Sequence, residues 1–393
     1  MGLDSLSGAV NDALSPNTMQ PAFGALRSSS AMSNCMYEAG DTMKAVQTRA
    51  TVTVAVEHGR RAIELRESET YVLHDQEVAS GQRAQMFAQV QDLPSEPIPY
   101  AALTAAPGRI IVPFIGGLGD AISILPVLNA IQHQAPEAEI TIATTPGPAE
   151  VFTLWRTPHA LMDYPVTLDT WSSFDTAVSF DAVHQCAPGD SLPHTFASAV
   201  GVTLNHVDFD LAIPDGLDVA DLMPPSPKVG VVVGDGVNVR PYPRAHLEAL
   251  VARLNQLGIF VLLLGNADPR WSFRIDPGRT LDLRGETPNV LTLAACVREL
   301  DAVIAHDSFI MHLAGALGIP TVGLFAPTSD SHAADYRQTT ALRSALACAP
   351  CHQTGTTCPQ GHDRCVAWDD DAVSPEAVVE ASVRLLTTAA TSS

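Results

Sequence analysis

Residues 303–328 read VIAHDSFIMHLAGALGIPTVGLFAPT. A short apolar run, AVIAH, stops at Asp307-Ser308. The stretch FIMHLAGALG then has the composition of a helix, a Gly-Ile-Pro break follows, and TVGLF is a second apolar run. Strand, helix and strand with short turns is the signature of a parallel βαβ unit. The chain around it repeats the pattern. VGVVVG, PRAHLEALVARLNQLG, IFVLLLG and NVLTLAACVREL precede it as strand, helix, strand and helix. PEAVVEASVRLLTT, about 375–388, predicts a last helix that crosses back or packs on this half.

A proline-rich break, MPPSPK (223–228), separates this half from another of the same kind. There RIIVPFI is a buried strand and DAISILPVLNAIQHQ a helix. EITIAT and TAVSF are strands, and HTFASAVGV is a helix. Two α/β halves facing one another place the strand-end loops of both in one cleft, where open parallel sheets bind ligands. Residues 1–48 are expected to be disordered. Residues 49–92 (TVTVAV, AIELRE, TYVLHD) form a small antiparallel β unit. The proline-rich 93–108 is a linker, 109–223 the first α/β domain and 224–393 the second.

The chain has 393 residues, 46% of them hydrophobic, ample for two cores. Its formal charge is -21, and no basic stripe exists to neutralise a phosphate backbone, so no nucleic-acid partner is expected. No apolar run is long enough for a membrane span, and the first residues do not read as a secretory signal. The location expected is cytoplasmic. A homo-oligomer stays open.

Three loops carry candidate chemistry. In VPFIGGLGDAIS (112–123), Gly116, Gly117 and Gly119 allow close backbone approach, and Asp120 is either a helix N-cap or a proton acceptor. At 307–312, Ser308 and free helix N–H groups could meet a pyrophosphate. His312 shares a helix face with Ser308, and the alternative is a capping Asp307 with a half-buried His312. In VVVGDGVNVRPYPRAHLEAL (231–250), a strand ends at Gly234 and Arg240 precedes a helix beginning near Pro243. Arg240 is either a phosphate ligand or a solvated surface cation.

Together these loops resemble the ADP-heptose heptosyltransferases of glycosyltransferase family 9, over about residues 109–388. The resemblance rests on GGLGDAISILP, on Arg240 before Tyr242-Pro243, and on DSFIMHLA, where Asp307, Ser308, His312 and Ala314 fit. Phe309 and Ala326 stand where the family usually has Gly, and Arg240 and Tyr242 where it more often has Lys and Trp. The resemblance implies two Rossmann-like domains in the glycosyltransferase-B arrangement. It implies Asp120 as general base and an ADP-sugar donor, most readily ADP-heptose. The donor site would comprise Gly119, Gly234, Arg240, Asp307, Ser308, Phe309 and His312. The acceptor is a saccharide or a protein Ser/Thr hydroxyl, and transfer inverts the anomeric centre. No catalytic divalent metal is expected, because cationic side chains and helix N–H groups can stabilise the leaving diphosphate. The rival readings are a non-enzymatic nucleotide-binding or assembly protein on this fold, and a transferase with another sugar nucleotide.

CAPCHQTGTTCPQGHDRC (348–365) spaces four cysteines as C-x2-C-x6-C-x6-C. Cys348, Cys351, Cys358 and Cys365 could close a tetrahedral zinc or iron site of structural type, with His352 and His362 as alternative ligands. Free or disulfide-linked thiols are the other possibility. A protein-glycosylating subset of the family is similar in pairing an iron-bound cysteine finger with an extra N-terminal domain.

Overall fold

The computed structural model describes residues 43–48, 52–56, 61–67, 69–74, 77–78, 87–93, 108–180, 191–214, 217, 219–234, 239–268, 275–351, 358–362 and 364–392. The expected disorder of residues 1–42 and most of the expected linker fall outside these residues.

The second half is a six-stranded, all-parallel sheet. Its strands are β11 (Lys228–Val232), β12 (Phe260–Leu264), β13 (Thr280–Asp282), β14 (Ala302–His306), β15 (Thr321–Phe325) and β16 (Thr339–Arg343). Their spatial order is β13-β12-β11-β14-β15-β16, the doubly wound dinucleotide-fold order. All of β14 and β15 is buried, which is why both read as unbroken apolar runs. Helices α5 (Arg244–Gln256), α6 (Val290–Arg298), α7 (Phe309–Ala316) and α8 (Pro375–Ser392) flank the sheet. Helix α8 packs on this same half, against α5, β14 and β15. Strand order reverses between β11 and β14. The loops leaving those two strands, Val233–Gly234 and Asp307–Ser308, therefore border the crevice where such sheets take ligands.

The first half has a parallel sheet ordered β10-β6-β7-β8. It comprises β6 (Arg109–Phe114), β7 (Glu139–Thr144), β8 (Ala160–Asp163) and β10 (Thr176–Ala177), with helices α1 (Leu118–Gln134), α2 (Pro146–Phe152), α3 (Leu168–Trp171) and α4 (Leu192–Ala199). Helix α1 is buried almost all round, from Ala121 through Asn129, as expected of a helix packed on several sides. It meets α2 and α4 of its own half and α7 of the other. Its buried Asn129 is satisfied: the side chain donates to the Asp208 carbonyl (2.8 Å) and accepts from Trp155 Nε1 (2.7 Å).

The N-terminal strands differ from the expectation in two ways. Strand β1 (Met43–Thr48) lies in the stretch expected to be disordered. Met43, Ala45 and Val46 are buried there, and the strand is held between β4 (Thr70–His74) and β5 (Phe87–Asp92), both antiparallel to it. Nor is this sheet set apart. The short β9 (Val166–Thr167), from within the first half, extends it beside β4, and Val46 and Val72 share a core with Ile111 and Ala143. The backbone N–H of His74 donates to the Tyr164 hydroxyl (3.0 Å), which donates to Glu77 Oε2 (2.5 Å). Strands β2 (Val52–Val56) and β3 (Arg61–Leu65) form a separate antiparallel pair. No helix among the described residues is long and apolar enough to cross a membrane.

Candidate active site

Gly117, not Asp120, is the N-cap of α1, with extended backbone. Asp120 sits three residues on and reaches back: its Oδ2 accepts from the Gly117 N–H at 3.0 Å. This is the returning half of a capping box, with the carboxylate at the positive end of the helix. The capping reading therefore holds in altered form. It uses Oδ2, and Oδ1 takes no hydrogen bond among the described residues.

Gly119 lies against the other half. A Cβ built on it would stand 2.8 Å from His312 Cδ2 and 3.4 Å from Nε2. The glycine turn of β6–α1 and the histidine of α7 are thus in direct apposition, and only a residue without a side chain fits between them.

Asp307, 6% exposed, is clamped by two imidazoles. Its Oδ1 lies 3.4 Å from His312 Nε2, and its Oδ2 lies 3.1 Å from His332 Nδ1. Burial opposes its charge. Hydrogen bonds from His312 and His332, with their electrostatic attraction, outweigh this and hold the carboxyl well below the usual range. The ionised carboxylate can only accept, so both of those ring nitrogens carry protons. His312 Nδ1 pairs with the Tyr336 hydroxyl at 2.8 Å. Burial pushes the Tyr336 phenol strongly up, so it stays an O–H donor. Tyr336 can lie over α7 because Gly315 has no side chain: a Cβ there would meet the ring at 2.4 Å.

Ser308 is the N-cap of α7, yet its hydroxyl makes no capping bond. Its Oγ is buried without a hydrogen-bond partner among the described residues, an arrangement that favours an outside acceptor. Phe309 packs partly against the central core. A Cβ on Gly234 would collide with Pro241 at 2.4 Å and approach His306 at 3.2 Å. Gly234 thereby lets the following segment fold back over the strand end, and that segment delivers Arg240. Residues 235–238 lie outside the described set.

The Arg240 loop is anchored from behind. Val239 and Tyr242 are buried in the second core with Trp368 and Val373. Trp368 Nε1 donates to the Val239 carbonyl (3.3 Å), and the Tyr242 hydroxyl donates to the Val373 carbonyl (2.6 Å). The two rings meet edge to face at 5.3 Å. Trp368 follows directly on the cysteine-rich segment, and Cys365 is in the same core.

The cysteines fit a thiolate metal site in donor type and neighbourhood. Cys348, Cys351, Cys358 and Cys365 are all free of disulfides. Burial pushes the Cys365 thiol up, and the charges of Cys351, Cys348 and Cys358 add to this. They do not stand at ligand spacing. Among the described residues no three His, Cys, Asp or Glu side chains are grouped to hold a metal ion. His352, an alternative ligand, is outside the described residues, and His362 is exposed.

Thus Gly119, Asp120, Asp307 and His312 come together across the two halves, with Ser308 beside them. His332 and Tyr336 were not legible in the sequence as site residues, and neither was the buttress Trp368.

Residues 196–362 match the family model Glycosyltransferase family 9 (heptosyltransferase). The matched stretch is less than half of the chain, and over it the chain is similar to that family. The stretch contains Gly234, Arg240, Asp307, Ser308, Phe309 and His312, the second-half positions of the candidate site. The chain is 31% identical over 162 residues to lipopolysaccharide heptosyltransferase 1 of Pseudomonas aeruginosa, an alignment covering 38% of this chain and 44% of that protein. The chain thus spans less than half the length of this curated relative. Solved structures share the fold. A family 9 glycosyltransferase of Veillonella parvula superposes with a TM-score of 0.53 at 16% identity, covering 75% of this chain and 99% of the other. ADP-heptose heptosyltransferase II of E. coli gives 0.53 at 16%, covering 71% and 99%. The iron-containing dodecameric glycosyltransferase TibC of enterotoxigenic E. coli gives 0.55 at 12%, covering 88% and 92%. The shared architecture is the α/β glycosyltransferase-B type.

Proposed function

We propose that the chain is an inverting glycosyltransferase that moves heptose from ADP-heptose to an acceptor hydroxyl. The observation that carries this reading is the apposition of Gly119-Asp120 and His312 across the two halves. It supports a role for the Asp120 carboxylate at the crevice where a doubly wound sheet takes its ligand. The donor's diphosphate lies at the β11–β14 reversal, against Ser308, the first N–H groups of α7 and the Arg240 guanidinium. Asp120 takes the proton from the acceptor hydroxyl. The acceptor oxygen bonds to the anomeric carbon from the face opposite the diphosphate. The bond from that carbon to the diphosphate oxygen breaks, and ADP leaves with the electron pair. Charge accumulates on the diphosphate as that bond breaks, where fixed donors and cations accelerate the step most.

The acceptor is a saccharide or a protein Ser/Thr hydroxyl. The cysteine-rich segment and the N-terminal sheet, on which the resemblance to the protein-glycosylating subset rests, favour a protein acceptor. Cys348, Cys351, Cys358 and Cys365 are proposed to hold zinc or iron as a structural clip behind the Arg240 loop. Four protein ligands would leave the ion no open position.

Calorimetric titration with ADP, UDP and GDP tests the donor reading. The expected result is a preference for ADP, weakened about tenfold or more by Arg240→Ala, the loss of a charge-assisted contact. Preference for UDP or GDP would discard heptose. No binding to any of the three would discard the transferase in favour of an assembly protein.

A further inference from the structure

His332 is a histidine that no motif announced. It lies in the turn Asp330–Ala333 beyond β15, 22% exposed and bonded through Nδ1 to Asp307. The opposite ring nitrogen, Nε2, has no hydrogen-bond partner among the described residues. The Asp120 carboxylate and the Arg240 guanidinium are both near enough to act on its charge. These are the two residues assigned above to the proton transfer and to the diphosphate.

We propose that His332 is a further donor-site residue, whose Nε2–H hydrogen-bonds the diphosphate of the sugar nucleotide alongside Ser308 and Arg240. The inference rests on the donor reading above and adds to it a residue and a pH dependence. The geometry has a clear division of labour. Asp307 accepts the hydrogen bond from Nδ1–H and fixes the ring, leaving Nε2–H for a ligand. The same carboxylate holds His312, so one buried charge positions two imidazoles. A carboxylate-oriented imidazolium is a strong donor to phosphate oxygen.

Burial works against the charge on His332, but the hydrogen bond and attraction of Asp307 and the field of Asp120 overcome it, leaving its pKa raised. The groups facing it from other elements are Asp307 and His312 of the β14–α7 segment, Asp120 of α1 and Arg240 before α5. On its own turn, Asp330 is paired with Arg343 of β16 (3.7 Å). Nearby Asp335 is paired with His194 of α4 (3.4 Å). Strand β15 contributes no titratable group. A raised pKa means the imidazolium persists to higher pH than that of an ordinary histidine and is lost as pH climbs through the raised value. Donor affinity is lost with it.

The test is calorimetric titration of the full chain with ADP-heptose from about pH 6 to about pH 9, a range that brackets a raised histidine. The diphosphate of this probe is esterified at both ends and takes up no proton in this range. Wild-type affinity is expected to fall about tenfold or more as pH rises, the weight of one charge-assisted hydrogen bond. His332→Gln is expected to bind weakly with a flat profile. His332→Lys, cationic throughout, is expected to bind without the slope, and it serves as the second variant should the glutamine chain fail to fold. A histidine that only neutralises Asp307 would lower the melting temperature of His332→Gln but leave both affinity and slope intact, which would overturn the proposal. A flat wild-type profile with measurable binding would also overturn it while leaving the donor reading standing. No binding of ADP-heptose at any pH would overturn both.

Discussion

Gly119→Ala probes the place where the two halves touch. The added Cβ would lie 2.8 Å from His312 Cδ2, well inside normal van der Waals contact. The ring cannot simply turn away, because Asp307 and Tyr336 hold it at 3.4 and 2.8 Å. Overpacking of this kind costs ~1–3 kcal/mol. Gly119 is the second residue of α1, so alanine there also gains up to ~1 kcal/mol of helix propensity. The net loss of stability should therefore lie between about zero and ~3 kcal/mol. Gly147→Ala is a matched control: it is the second residue of α2, and its new Cβ would meet only Leu118 Cδ2 at 3.8 Å. It should be neutral or stabilising. Thermal denaturation and ADP calorimetry on both variants make the comparison. Gly119→Ala is expected to lose about tenfold or more in ADP affinity through the displaced His312, and Gly147→Ala none. If Gly119→Ala were as stable as its control and bound ADP like the wild type, the apposition of the two loops would be refuted.

Tyr242→Phe removes the donor to the buried Val373 carbonyl. An unsatisfied buried acceptor costs ~1–3 kcal/mol, so urea denaturation should show a loss in that range. ADP affinity should fall too, because the Arg240 loop loses an anchor, and an unchanged affinity would detach the buttress from the site. Protein purified without chelator is expected to carry about one zinc or iron per chain. Its removal should lower the melting temperature. Elemental analysis finding none, with all four thiols freely titratable, would reject the thiolate clip.

Much of the second half was legible because parallel strands buried on both faces read as unbroken apolar runs. VIAHDSFIMHLAGALG even placed Asp307, Ser308 and His312 at one strand end. Strand β1 was not legible. MKAVQT sits in a polar, serine-rich region, and its strand character comes from pairing with β4 and β5, which local pattern does not encode. Strand β9 is too short to register and joins a sheet whose other strands lie far earlier in the chain. Asp120 was legible as a residue at the helix start, but its place as the returning carboxylate behind a glycine cap needed the backbone geometry. His332 and Trp368 escaped for one reason. Each acts through a partner distant in sequence, Asp307 in one case and the Val239 carbonyl in the other, and neither lies in a periodic or motif-like stretch.

In the mechanism proposed here, Asp120 takes the acceptor's proton at a crevice that binds the donor independently of it. Transfer of heptose from ADP-heptose to its acceptor, followed in wild type and Asp120→Ala with ADP calorimetry on both, tests this most directly. Transfer should be abolished in the variant and ADP affinity retained. Undiminished transfer by Asp120→Ala would contradict it.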